Sequence, residues 1–357
     1  MMNKIVQINF KAIKRISPSQ FYSMKNCAYK SLLAEAFDKK PLLPLSPNAY
    51  FGIVLHKILE LIAKGIVKSE VDFNIELDKQ VKTLEDDLQS KGFGFLTPLK
   101  VKLRNFGLKK IQLRKHLRSE SEQPKSSINA NFYSEKWFES LDKLIAGKFD
   151  LVIENGSYIE IIDFKTGAIR QDCLDDEGEL NSDVKDKYKE QLKLYAYLYF
   201  ENTNKFPTNL SLVDLAKQKF SVEFSEEECK TLFEEAKSLL KSTNNSINTK
   251  SFSANPKEEN CKHCLYRPAC SFFHKKFDSD FSINDVFGKV KDVKIFQNGN
   301  VNLFLENGSK IITIKNFNSG SFDKLNNNKN KQIRIYNLRN EEAEYVYSVT
   351  DTTMIYE

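Results

Sequence analysis

The sequence predicts an α/β chain. A mixed helix–strand domain should occupy about residues 1–278, with a helical insertion at about 66–122. A small all-β barrel, OB-like or SH3-like, should follow over 281–357. Three observations predict it. A β-rich run from Gly147 to Gly167 lies between amphipathic helical stretches. Short turn-punctuated β runs replace helical periodicity from about Phe281 onward. The length, 357 residues with 41% hydrophobic and 29% charged, suffices for one large core and one small one.

Composition narrows the classes further. No run of 18 apolar residues occurs, which excludes a helical membrane span. The first ten residues lack the apolar core of a secretory signal, so a cytoplasmic location is expected. A net charge of +6 leans mildly towards nucleic acid. Six cysteines in such a chain point to metal binding or burial rather than disulfides.

Taken in order, residues 1–14 read as a strand or ordered arm. Ser17-Pro18-x-Gln20 is a capping box with proline at the first helical position, so a helix starts there, with Cys27 just beyond its first turns. Residues 50–64 form the next helix, with Phe51, Val54, Leu55, Ile58 and Ile62 on one face and Gly65 as its stop. His56 falls off that stripe, near Gly52 and Glu60. Two helical stretches follow, about 70–90 and 98–119. The second carries Lys100, Lys102, Arg104, Lys109, Lys110, Arg114, Lys115 and Arg118 and no acidic residue. Such a run is ordinarily a solvated face, but charge this one-sided also suits phosphate contacts, above all through Lys109, Lys110, Arg114 and Lys115. Pro124 to Asn131 is a polar connector, and Glu135 to Phe138 opens a strand.

The Gly147–Gly167 run is a hairpin, because Asn155-Gly156 separates two β-rich segments. A two-residue Asn155-Gly156 turn would set Val152 against Ile159 and Asp150 against Ile161. Asp150, Ile161, Asp163 and Lys165 then share one sheet face. Asp150 and Asp163 become diagonal neighbours, roughly 7–8 Å apart at the backbone. Two carboxylates beside an ammonium suit Mg²⁺ or Mn²⁺ and a water held for attack. An ordinary hairpin with surface charges is the bland alternative.

Residues 171–186 hold seven carboxylates and read as an acidic, mobile loop. Tyr188 to Phe200 is a helix with Gln191 and Tyr195 on one face, and Leu194, Tyr195, Leu198 and Tyr199 form a core stripe. Leu210–Ala216 and Phe220–Phe224 read as a second hairpin. Ser225-x-x-Glu228 is a capping box opening a helix to about residue 242. Cys173 and Cys229 stand alone. Cys261-x-x-Cys264 with Cys270 is metal-ligand spacing, which does not separate zinc from an iron–sulfur cluster; His263 or His274 could complete a Cys₃His zinc site. Five β runs after Phe281, with turns at Asn298-Gly299 and Asn307-Gly308, build the barrel, and Asn318–Lys331 reads as disordered. Tyr336, Tyr345 and Tyr347 would suit base stacking or a protein partner equally.

Gly147-Lys-Phe-Asp150 followed by Ile161-Ile-Asp163-Phe164-Lys165-Thr-Gly167 resembles the PD-(D/E)xK nucleases of the RecB-like exonuclease group. Ser17-Pro18 with Cys27, Gly52 to His56, Gln191 to Tyr195, and the Cys261, Cys264, Cys270 set are similar to the other signatures of its iron–sulfur subgroup. That subgroup includes the AddB nuclease domain and the RecB-like CRISPR adaptation nucleases. Ala28 stands where the family often has proline. The resemblance covers about residues 15–275 and implies a restriction-endonuclease-like core. It implies Mg²⁺ or Mn²⁺ held by Asp150, Asp163 and the Phe164 carbonyl, with His56 as a further metal-site residue. Lys165 would activate the water, and Gln191 and Tyr195 would support the site. It also implies a [4Fe–4S] cluster on Cys27, Cys261, Cys264 and Cys270 acting as a structural staple, with Zn²⁺ the alternative. The expected activity is an exonuclease on single-stranded DNA or DNA ends, working beside a helicase or defence partner. An endonuclease of the same superfamily and a non-catalytic DNA-binding scaffold are the alternatives. The chain has no phosphate-loop motif and so no evident motor.

Overall fold

Caps and local patterns set the elements. In the computed structural model, which describes residues 3–117, 131–174, 180–280 and 283–357, the Ser17 box opens α1 (Pro18–Asn26), followed by α2 (Ala28–Ala36). Helix α3 (Pro47–Ala63) buries Phe51, Val54, Leu55 and Ile58 of the predicted stripe and leaves Ile62 half-buried, and Gly65 follows its end with φ +66°. A second box, Ser69 with Asp72, opens α4 (Glu70–Ser90). The expected helix over 98–119 is instead two short ones, α5 (Leu99–Lys102) and α6 (Phe106–Arg114). Asn105 between them takes φ +63°, a left-handed conformation that ends one helical run before the next begins. Arg118 and the 124–130 connector lie outside the described residues.

The chain divides into two compact units. The first, Ala12–Ser31 with Pro47–Ser253, is built on a five-stranded sheet of order β1-β2-β3-β6-β7. Its strands are β1 (Asn131–Glu139), β2 (Ala146–Asn155), β3 (Tyr158–Lys165), β6 (Asn209–Asp214) and β7 (Lys219–Ser221). All neighbours are antiparallel except β3 and β6, which run parallel. A parallel pair needs a crossover, and α7 (Asp186–Thr203) supplies it. Between β3 and α7, strands β4 (Arg170–Leu174) and β5 (Leu180–Val184) pair antiparallel. The expected acidic loop is therefore largely a hairpin, with residues 175–179 outside the described part. Backbone pairing holds Asp172 and Asp183 in extended register. Helix α8 (Glu226–Thr249) starts at the Ser225–Glu228 box and runs beyond its expected end near 242. The core gathers Phe21, Phe138, Phe149, Val152, Ile161, Leu194, Leu198, Leu212 and Phe233.

The second unit comprises Met1–Lys11, Leu32–Ser46 and Ala254–Glu357. It contains α9 (Glu258–Cys261), α10 (Ser271–Asp280) and a curled, open all-β half-barrel. Seven strands replace the five expected: β8 (Val286–Ile295), β9 (Val301–Asn307), β10 (Lys310–Phe317), β11 (Gln332–Tyr336), β12 (Arg339–Asn340), β13 (Val346–Ser348) and β14 (Met354–Tyr356), in the order β12-β13-β10-β9-β8-β11-β14. The segment expected to be disordered, 318–331, is ordered. It forms a 3₁₀ turn and α11 (Phe322–Asn326), because Leu325 is buried against Val290, Ile314 and Ile333 in the barrel core. No helix of the described residues is long and apolar enough to cross a membrane.

Candidate active site

The hairpin register differs from expectation by two positions. Val152 pairs with Ile161 and Asn155 with Tyr158, so the turn residues are Gly156, at φ +60°, and Ser157. A two-position shift preserves faces, whereas a one-position shift would reverse them. Continuing the register past Leu151–Ile162 sets Asp150 opposite Asp163 rather than diagonal to it. The Phe164 N–H donates to Asp150 Oδ2 at 2.8 Å.

Helix α7 brings Gln191 onto this pair. Gln191 Nε2 donates to Asp163 Oδ1 at 2.9 Å, and Gln191 Oε1 accepts from Lys165 Nζ at 3.0 Å. Lys165 Nζ also lies 2.5 Å from Asp163 Oδ2. That oxygen is buried and receives no hydrogen bond of proper geometry, in a carboxylate only 5% exposed. Burial, then the neighbouring Asp163 charge, pushes the Asp150 carboxyl up to about 7; the Phe164 N–H, Lys165 and Lys148 act against the rise. Two acids thus share a site that favours both ionised only if more positive charge arrives.

Tyr195, one turn beyond Gln191, donates from its hydroxyl to the Lys148 carbonyl at 3.0 Å. Its ring approaches Gly147 so closely that a Cβ there would sit 2.8 Å from Tyr195 Cε1. Gly147 is therefore a close-approach glycine. On the opposite flank, a Cβ built on Gly52 of α3 would lie 3.2 Å from Thr166 Oγ1. This close packing of α3 on the end of β3 carries His56 to the site. Burial lowers the His56 pKa, while the Asp163 charge raises it and the Lys165 charge lowers it.

The sequence reading missed Tyr188, whose ring centroid lies 4.5 Å from Lys165 Nζ. The signal was present, since Tyr188, Gln191 and Tyr195 sit at helical i, i+3, i+7 spacing. The basic stretch is less free than its sequence suggested. Arg114 is ion-paired with Glu70 and Lys100 with Asp78, both acids coming from α4. Lys109 and Lys110 are half-buried, and Lys115 is exposed.

Cys27 belongs to the sheet unit, and Cys261, Cys264 and Cys270, all buried, to the barrel unit. Among the described residues, no group of three or more His, Cys, Asp or Glu side chains assembles that could hold a metal ion. Two carboxylates alone therefore mark the β2–β3 site, and a cation there would draw further oxygens from backbone or solvent. The Cys173 side chain lies outside the described part. Cys229 is fully buried, and burial pushes its thiol up to about 12.

Two acids opposite each other on adjacent strands, with a lysine two residues after the second, form the candidate site of the sheet unit. The family model for the PD-(D/E)XK nuclease superfamily matches residues 15–271, and the chain belongs to that superfamily. Among solved structures, the chain is similar to a crystal structure described as "Putative exonuclease" from Eubacterium rectale. It shares 11% identity and a TM-score of 0.44 with it, over 70% of this chain and 88% of that one. A second structure, described as "Structural mimicry for functional antagonism", aligns at 8% identity and a TM-score of 0.19, over 65% of this chain and 97% of that one. A comparison with curated proteins found no match.

Proposed function

We propose that this nuclease is a Mg²⁺- or Mn²⁺-dependent deoxyribonuclease of the RecB-like group, acting as an exonuclease on single strands or DNA ends. One observation carries the reading: Asp150 and Asp163 stand opposite each other in the β2–β3 register, with Asp150 pushed up to about 7 by burial and the Asp163 charge, and Lys165 Nζ 2.5 Å from Asp163 Oδ2. That donor set is hard, acidic and short of positive charge, which suits Mg²⁺ or Mn²⁺. Asp150, Asp163 and the Phe164 carbonyl would hold the ion, with His56 at its margin. When bound, it would withdraw charge from a phosphate oxygen. Lys165 orients the attacking water and stabilises its deprotonated form. Gln191 fixes the Lys165 ammonium through its amide oxygen, and Tyr195 anchors the β2 backbone below Asp150.

The nearby steps are tested with DNA labelled at the 5′ or the 3′ end, given as single strands, duplexes and circles with Mg²⁺ or Mn²⁺. Cleavage by the parent chain, lost in Asp163→Asn, is expected, and the label released first sets polarity. Cutting of circles would move the reading to an endonuclease. Tight DNA binding without cleavage would favour the scaffold.

The family resemblance further supports a [4Fe–4S] cluster on Cys27, Cys261, Cys264 and Cys270, with Zn²⁺ the competing occupant. Iron and acid-labile sulfide in protein purified without oxygen would support the cluster, and stoichiometric zinc would replace it. Cysteine usage and charge favour a cytoplasmic protein on DNA, with a helicase or defence complex as partner. Phosphate contacts from Lys109, Lys110, Arg114 and Lys115 belong to the same proposal, and Arg114 would first have to leave Glu70.

A further inference from the structure

The only tryptophan of the chain, Trp137, lies on β1, at the edge of the catalytic sheet, and is 54% exposed. Its setting is specific. Trp137 pairs directly with Lys148 across the β1–β2 ladder, so the two side chains share a face with Cβ atoms about 5 Å apart. Lys148 is exposed, and Asp150 follows two residues later on β2, roughly 7 Å along the strand. The Lys148 charge reaches Asp150 and helps hold its carboxyl down. Arg15 places its guanidinium carbon 5.8 Å from the Trp137 ring centroid and is itself held by Glu139 at 2.6 Å.

A ring open to solvent between two cations, one residue pair from the catalytic acids, has the make-up of a single-strand track. The cations suit the backbone, and the ring suits a base of any identity. We infer that Trp137 is a nucleobase-stacking subsite, with Lys148 and Arg15 flanking it, that receives an unpaired base next to the bond lying at Asp150 and Asp163. A base inside a duplex has both faces covered by its neighbours and cannot stack on Trp137 without leaving the helix. The subsite therefore selects single strands or frayed ends. This inference rests on the nuclease reading and adds to it a feature of substrate choice.

Trp137 is also its own reporter. The full chain, without added divalent metal so that no cleavage occurs, is titrated with a short oligothymidylate. Tryptophan emission and the anisotropy of an end-labelled copy are both followed. Saturable quenching that tracks the anisotropy is expected. Trp137→Ala should weaken single-strand binding about tenfold, while Trp137→Phe restores most of it and blunt-duplex binding stays unchanged. With metal present, Trp137→Ala should raise KM by a similar factor and leave kcat nearly unaltered, and equal melting temperatures would show that the fold is intact. Binding with unchanged emission, or equal single-strand affinity in Trp137→Ala, overturns the subsite and leaves the nuclease reading standing. Absence of cleavage with quenching retained overturns the nuclease reading alone. Absence of any oligonucleotide binding overturns both.

Discussion

Two buried charge clusters in this molecule are built on opposite principles. In the barrel unit, Arg267 is 2% exposed, yet its guanidinium is fully engaged. It donates to Asp285 Oδ2 at 2.6 Å, to Asp285 Oδ1 at 2.9 Å, to the Cys264 carbonyl at 3.0 Å and to Asn337 Oδ1 at 2.5 Å. Its face also lies over Tyr336, 5.6 Å from the centroid. Asp285 in turn accepts the Asn337 N–H at 2.9 Å. In the sheet unit, Asp150 and Asp163 share one lysine, one acid is pushed to about 7, and one buried oxygen lacks a hydrogen bond. A buried charge costs several kcal/mol unless its partners are complete. The Arg267 cluster completes its own set and ties the cysteine-bearing loop to the β strands. The Asp150–Asp163 cluster sets two acids against one lysine, the charge imbalance that the cation proposed above would offset.

The largest effect that tests this contrast is catalytic. Asp163→Asn should cut cleavage by about 10³-fold or more, since transition-state charge stabilisation worth several kcal/mol is lost. Its melting temperature should change little, because the open site adds little to stability. A variant that melts far below the parent would place Asp163 with Arg267 among structural charges and break the comparison. Next in size, Arg267→Ala should destabilise by about 3–5 kcal/mol, the cost of stranding Asp285 in the interior. This is read as a lower midpoint in chemical denaturation with the residual folded protein still cleaving DNA. Normal stability in that variant would mean that the satisfied cluster contributes nothing to the fold.

The smallest effect sharpens the comparison through pH. His274 packs in the barrel unit with Nε2 3.2 Å from the Tyr336 hydroxyl, and burial, with the Arg334 charge, lowers its pKa to about 4. The unfolded chain takes up a proton on this residue near pH 6.5, while the folded chain resists until about pH 4. Between those values the unfolded state binds more protons, so stability falls as pH drops from about 6.5 towards 4 and levels off below that. Melting curves at neutral and mildly acidic pH should show this loss, and His274→Gln should shrink it. An unchanged pH slope in the variant would assign the loss to other groups.

The sequence by itself determined which face of the β2–β3 hairpin carries Asp150, Asp163 and Lys165, because strand side chains alternate and an Asn-Gly pair marks a turn. It determined the starts of α1 and α8 through their capping boxes, and it set Gln191 and Tyr195 on one helix face through the 3.6-residue period. These features depend on neighbours within a few residues. The tertiary structure decided the rest. The turn sits one residue later than expected, which moves Asp163 from diagonal to opposite Asp150. Leu325 finds a barrel core that orders a segment polar enough to read as disordered. Glu70 and Asp78 of α4 reach a helical region that carries no acid of its own. Arg267 meets Asp285 and Asn337, and Trp137 meets Lys148, through pairings for which no sequence period exists. Such contacts arise when separate elements pack, and the burial they create then decides which charges are satisfied and which remain open for chemistry.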